Sequence, residues 1–226
     1  MMDEKTLKIR RAHLGDVKQL AKLHFICASE QPGAFMHLLG RRFFVTYYKI
    51  ILKDPSSVVL CADADQNGTV GFVSATFDSK RQLQAIIKER FKLFWAAIPA
   101  LIRRPSLIQA LYIRDKSCSA DQIGEGFLTS CSNRICYWGW MPGYPSKGYS
   151  TYLLNALIDF MEDQGAEELQ MEVDRANRKV EVMHRLLGAK AVKEFVTKDG
   201  RLRVVMEYRL KPQTTETKET LRQDSA

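Results

Sequence analysis

The sequence lacks most of the features that assign a chain to a class at once. No apolar run is long enough for a bilayer: the longest, Leu93 to Ile102, is interrupted by Pro99, whereas a spanning helix takes about 20 residues. The N-terminus, MMDEKTLKIR, is charged and has no apolar segment, so it does not read as a secretory signal. Five cysteines, an odd number, show neither CxxC nor a His/Cys zinc spacing. The expectation is free thiols, no structural metal and a reducing, cytoplasmic setting. The familiar phosphate motifs are absent too. Gly148 is followed by Tyr149 where an ATP-binding loop needs Lys-Ser/Thr, and Gly139 and Gly143 have the wrong separation for GxGxxG.

What is present is ordinary in bulk and uneven in detail. At 226 residues, 46% hydrophobic and 27% charged, the chain has enough material for one well-buried domain with something extra, or two small ones. The net charge is +8, and between Ser79 and Lys116 there are nine basic side chains against two acidic ones. Nearly all of the surplus belongs to that segment. This argues for a local feature and against a generally basic nucleic-acid binder.

Along the chain, Leu7 to Arg11 reads as a strand, and Asp16 stands as the cap of a helix carrying Val17, Leu20, Leu23, Ile26 and Cys27 at helical spacing. A second helix is expected over about Phe35 to Leu52. Strands at Ser57 to Ala64 and Thr69 to Phe77 are joined through Gln66-Asn67-Gly68, a strong hairpin signal. Ser79 to Arg114 reads as a helical block split by Pro99 and Pro105, and Asp115 to Ser132 as a loop. Later come a strand at Glu168 to Val173, a helix from Asn177 to Leu187 closed by Gly188, and a hairpin of Lys190 to Val196 with Leu202 to Leu210. Residues 211–226 are polar and read as a disordered tail.

The stretch that organises the rest is Asn133 to Leu154. Ile135 to Trp140 is a short apolar strand, Pro142-Gly143-Tyr144-Pro145 breaks regular structure, Ser146 to Thr151 is small-residue and polar, and Tyr152-Leu153-Leu154 opens an amphipathic run. A strand, a small-residue loop and a helix start make an anion site, because the first helical amides lack partners and the macrodipole adds about +0.5 charge there. The plainer alternative, a Pro/Gly turn between a core strand and a surface helix, stays open on this stretch alone.

Pro142-x-Tyr144-x-x-Lys147-Gly148-x-Ser150 resembles the acyl-CoA loop of the GNAT superfamily of N-acetyltransferases, although Pro145 stands where Arg or Gln is usual and Ser150 where Gly or Ala is usual. Asn177, Val180, His184 and Gly188 resemble a second stretch of that family, with His184 in the place of its tyrosine and Ala189 in the place of its aromatic. The order β-α-α-β-β-insert-β-α-β-α-β-β is similar too. The resemblance implies one domain over 1–210, in the α/β (α+β) class. Its mixed central sheet of about seven strands is flanked by helices, with a helical insertion and loop at 79–131. A weaker likeness at Pro32, Gly33, Phe35, Leu39, Gly40, Phe43 and Tyr47 points to a bacterial subgroup acting on amino sugars.

The resemblance also implies acetyl-CoA as acyl donor and a small-molecule amine or amino sugar as acceptor, joined by direct attack in a ternary complex. A catalytically weak or inactive acyl-CoA-binding or interaction module is the alternative. Trp140, Met141, Ser146, Lys147, Gly148, Tyr149, Ser150, Thr151 and Asn177 are expected to hold the donor, with Gly139 marking a bulge. His184 is expected to protonate the departing thiolate as an imidazolium, or else to be a half-buried, hydrogen-bonded histidine. Strand residues Arg134 to Trp140 hold no carboxylate. The base therefore falls to Glu172, whose alternative is a strand glutamate paired with Lys or Arg; Glu30 is a weaker candidate. The basic segment has three readings: a solvated lid or homodimer surface, a peripheral membrane contact through 80–104, or an attractor of phosphorylated substrates such as nucleotide-sugars.

Overall fold

The structure, a computed structural model, describes residues 7–31, 35–64, 68–109, 111, 131–146, 148–197 and 200–211. Seven strands form one sheet in the order β1-β2-β3-β4-β5-β7-β6: β1 (Leu7–Arg11), β2 (Ser57–Ala64), β3 (Gly68–Thr76), β4 (Arg134–Trp140), β5 (Glu168–Asp174), β6 (Lys190–Val196) and β7 (Leu202–Arg209). Every neighbouring pair is antiparallel except β4 and β5, which run parallel.

The period-two alternation of the strands divides the core between the two faces of the sheet. Val58, Leu60, Ala62, Val73, Ala75, Leu169, Met171 and Val173 face one side, where Leu153, Leu154, Leu157 and Met161 of helix α5 (Tyr149–Asp163) cover them. Val59, Cys61 and Phe72 face the other, under α1 (Val17–Ser29) and α2 (Arg41–Ile51). Helices α3 (Ser79–Lys88) and α4 (Arg90–Arg103) pack on α2, so the insertion lies on the α1/α2 side. Helix α6 (Arg178–Leu186) closes over β5 and β6 and ends at Gly188, whose φ of 93° suits the C′ position.

Three local expectations change. Asp16 does not cap α1; its carboxylate accepts from the His13 amide and both oxygens accept from Arg10 at 2.8 Å, which ties β1 to the helix entry. The helix expected over Phe35 to Leu52 is a 3-10 turn, Met36–Leu39, and then α2, separated by Gly40 at φ 85°. The insertion breaks at Glu89, while Pro99 lies inside α4. The expected loop at 115–132 falls mostly outside the described residues, as do the hairpin tip at 198–199 and the tail beyond 211.

Candidate active site

Strands β4 and β5 meet at one residue pair, Arg134 with Gln170, and then part. The cause lies in β4 itself. Ser74 faces Tyr137 while Ala75 faces Ile135, so Cys136 is an extra residue in β4 and bends the strand away from its parallel neighbour. The bulge therefore sits at Cys136. Gly139 serves close packing instead: a Cβ there would stand 2.5 Å from Phe72 Cε1 and 3.1 Å from Cys27 Sγ.

The hydrogen-bond phase of the β3–β4 ladder decides which backbone groups line the resulting fork. The Met141 amide donates to the Val70 carbonyl at 2.7 Å, and the Met141 carbonyl accepts from the Tyr144 amide at 3.1 Å. Both backbone groups of Met141, expected to hold the donor, are thus engaged within the protein. In an antiparallel ladder, alternate residues turn their amides to opposite edges, so Trp138 and Trp140 direct theirs away from β3, into the fork. Trp138 was not singled out in the sequence; only the register reveals it. The Trp140 carbonyl accepts a weak bond from the Cys27 thiol at 3.2 Å, and its indole Nε1 donates to the Tyr144 carbonyl at 3.1 Å.

The loop after β4 begins as a turn with Pro142 second and Gly143 third at φ 75°, the pattern of a type II turn. Gly148, at φ 86°, is the N-cap of α5, and no side chain caps that helix. Tyr149 donates to the Ser146 carbonyl and Tyr152 to the Gly148 carbonyl. Ser150 and Thr151 occupy the next first-turn positions, where a helix supplies no acceptor of its own. Ser146 and Gly148 are exposed, and Tyr149, Ser150 and Thr151 are half-buried. Lys147 lies outside the described residues. Asn177 ends the segment after β5 as the N-cap of α6; its side chain bonds no backbone group there.

His184 is fully buried on the α5/α6 face of the sheet. Its Nδ1 pairs with the hydroxyl of Tyr208 on β7, and its ring meets Trp138 of β4 edge-on at 5.9 Å. It therefore reaches from β7 across β5 to the far strand of the fork. Nε2 of His184 and Nε1 of Trp138 are both buried without a partner. Burial pushes the imidazole pKa from 6.5 down to about 4, so the side chain is neutral near pH 7. The sequence expected an imidazolium here, or else a hydrogen-bonded histidine; the bond to Tyr208 fits the second. The Tyr208 partner, contributed by a strand 24 residues further on, had no signal in the sequence.

Glu172 faces the opposite side of β5. Its side chain is 2% exposed and sits between Arg134, at 2.9 Å, and Arg203, at 3.7 Å. The carboxylate is matched by two guanidinium groups, the pairing that the sequence offered as the alternative to its role as general base. Glu30 is an exposed residue at the end of α1. On that same face Tyr137 donates to Met36 Sδ at 2.8 Å, and Cys136 Sγ lies 3.2 Å from Gln82 Oε1, so the 3-10 turn and α3 both touch β4. Burial, before other causes, raises the thiol pKa values of Cys27, to about 12, and of Cys136.

A forked parallel strand pair beside an uncapped helix start leaves backbone amides open to an extended anionic ligand. Residues 123–189 match the model of the acetyltransferase (GNAT) family. That segment, under a third of the chain, is similar to part of the GNAT acetyltransferase domain. No curated protein matches it in sequence. Among solved structures, Arabidopsis thaliana NAA60 in complex with acetyl-CoA is 15% identical, with 90% of this chain and 98% of that one covered at a TM-score of 0.52. The ribosomal-protein-S18-alanine N-acetyltransferase of Escherichia coli is 12% identical over 93% of this chain and 97% of its own, at 0.53. A chimeric spermidine N-acetyltransferase SpeG, from Vibrio cholerae and hSSAT, is 11% identical over 90% and 95%, at 0.55. At these identities the likeness is one of fold, and the GNAT fold spans the described strands from β1 to β7.

Proposed function

We propose that this GNAT domain transfers an acetyl group from acetyl-CoA to the amine of a small molecule or amino sugar, by direct attack in a ternary complex. The observation that carries the reading is the single-pair contact between β4 and β5. Fully paired strands would leave no backbone donors facing a thioester arm. In this reading the amides of Gly148, Ser150 and Thr151 receive the pyrophosphate, with Ser146 and Tyr149 beside them, and the helix dipole favours that charge. Trp138 and Trp140 offer their backbone to the pantetheine arm, and Asn177 offers an amide that both donates and accepts. Acetyl-CoA, when bound, supplies the activated acyl group.

The residues around the fork set how the reaction proceeds. Cys27 and Cys136 are held as thiols by burial, which supports direct transfer over an acyl-cysteine route. His184 is neutral, and burial raises the pKa of its Tyr208 partner as well, so the pair holds its protons near neutrality. Its role is then to donate a hydrogen bond from Nε2 into the fork, where a buried donor is worth more than in water. The insertion packs over α2 and the 3-10 turn, where Phe35, Leu39, Ala97 and Leu101 form one buried cluster.

A thiol-release assay over a panel of small amines, amino sugars and short peptides tests the reading. Turnover of small amines or amino sugars, exceeding that of peptides, is expected. Turnover confined to peptides would move the acceptor to proteins, and acetyl-CoA binding without any turnover would leave a donor-binding module.

A further inference from the structure

Helix α4 carries two apolar stripes where a surface helix needs one. Leu93, Ala97 and Leu101 form the inner stripe, buried against α2 and against Phe35, Leu39 and Leu107. On the outer side, Phe91, Phe94, Trp95 and Ile102 recur at i, i+3, i+4 and i+11 and are 67%, 54%, 70% and 75% exposed. Three aromatic rings and an isoleucine therefore lie along one face with more than half of each residue's surface open. Ile87 of α3 and Ile108 beyond α4 are exposed as well.

The rim of this stripe is cationic. Lys88, Arg90 and Lys92 stand at one end, Arg103 and Arg104 at the other, and Lys80 and Arg81 on α3, all of them exposed. Over residues 79–104 the single acidic side chain is Glu89, which pairs with Lys92 at 2.7 Å. The Arg90 guanidinium lies 5.2 Å over the Phe91 ring, which places charge and aromatic face at the same level. Phosphate-bearing headgroups above an acyl layer match both parts: apolar rings enter the boundary, and arginine and lysine remain with the anions. A second copy matches only the rings, because a two-fold contact would bring two identical cationic rims together.

We propose that α3 and α4 seat this protein on an anionic bilayer surface, with Phe91, Phe94, Trp95 and Ile102 in the headgroup–acyl boundary. Helix α4 is about 21 Å long at 1.5 Å per residue, and no helix among the described residues is long and apolar enough to cross a membrane. The contact is therefore interfacial, with the helix in the plane of the surface. It rests on the outer face of the insertion and does not depend on acetyl transfer at the fork.

Co-sedimentation of the full chain with vesicles tests this. Vesicles of phosphatidylglycerol and phosphatidylcholine in equal parts are compared with pure phosphatidylcholine, with Trp95 emission as a second readout. Binding to the anionic vesicles with a blue-shifted emission is expected, weaker by about tenfold or more on the neutral ones. The triple variant Phe91→Ser, Phe94→Ser, Trp95→Ser changes exposed residues only, so it should keep its melting temperature and lose about tenfold or more in partitioning. Equal pelleting of wild type and variant, or no pelleting of the wild type, overturns the proposal. So does a concentration-dependent dimer that the variant abolishes while neither form binds lipid.

Discussion

A histidine sealed among apolar groups resists taking up a proton, and for His184 that resistance has a sign and a window. Its pKa falls from 6.5 to about 4 on folding. Between those values the unfolded chain binds a proton that the folded chain does not, so stability falls as pH drops through the window and the penalty vanishes above 6.5. The full effect is about 3 kcal/mol. His24, lowered to about 3 by its own burial, acts in the same direction, so the test compares slopes. Urea denaturation between pH 7 and pH 4.5 should show a shallower loss of stability for His184→Gln than for wild type; an unchanged slope would mean that His184 titrates normally. A histidine in the place of a family tyrosine is legible in the sequence but its neutrality is not, because burial and the Tyr208 hydroxyl arise from β7. Glu172 teaches the same lesson. Its strand was legible, while Arg134 and Arg203 reach it only once β4, β5 and β7 are side by side.

At the scale of the element, β4 with its loop and α5 form the unit on which the site depends. The apolar run, the Pro-Gly turn and the amphipathic start marked all three parts, and Gly143 and Gly148 adopt the positive φ that a turn and an uncapped helix start require. The bulge lies at Cys136 and not at Gly139, because a bulge is a property of pairing with β3 and leaves no mark in β4 alone. Gly139 has a separate reason to be glycine. Phe72 is 1% exposed and cannot withdraw from an added methyl group 2.5 Å away. Gly139→Ala is therefore expected to cost about 1–3 kcal/mol in chemical denaturation. A change below a few tenths would show that β4 tolerates displacement from β3 and that the fork is less fixed than its packing implies.

For the whole molecule, the order of strands and helices was readable because each element carries its own apolar pattern and its own stop signals, from the continuous buried run of β2 to Gly188 after α6. Which strands part company was not readable, since it depends on register between β4 and β5, segments more than 30 residues apart. The insertion was recognised by its charge, and the structure adds that its inner stripe belongs to the core while its outer stripe does not. The fork and the loop amides together are proposed to receive acyl-CoA. Amide hydrogen exchange with and without saturating acetyl-CoA tests it most directly. Slowed exchange at Trp138, Trp140, Gly148, Ser150 and Thr151 is predicted, with little change in β1, β2 and β6. Unchanged exchange at those five amides under saturating ligand would contradict it.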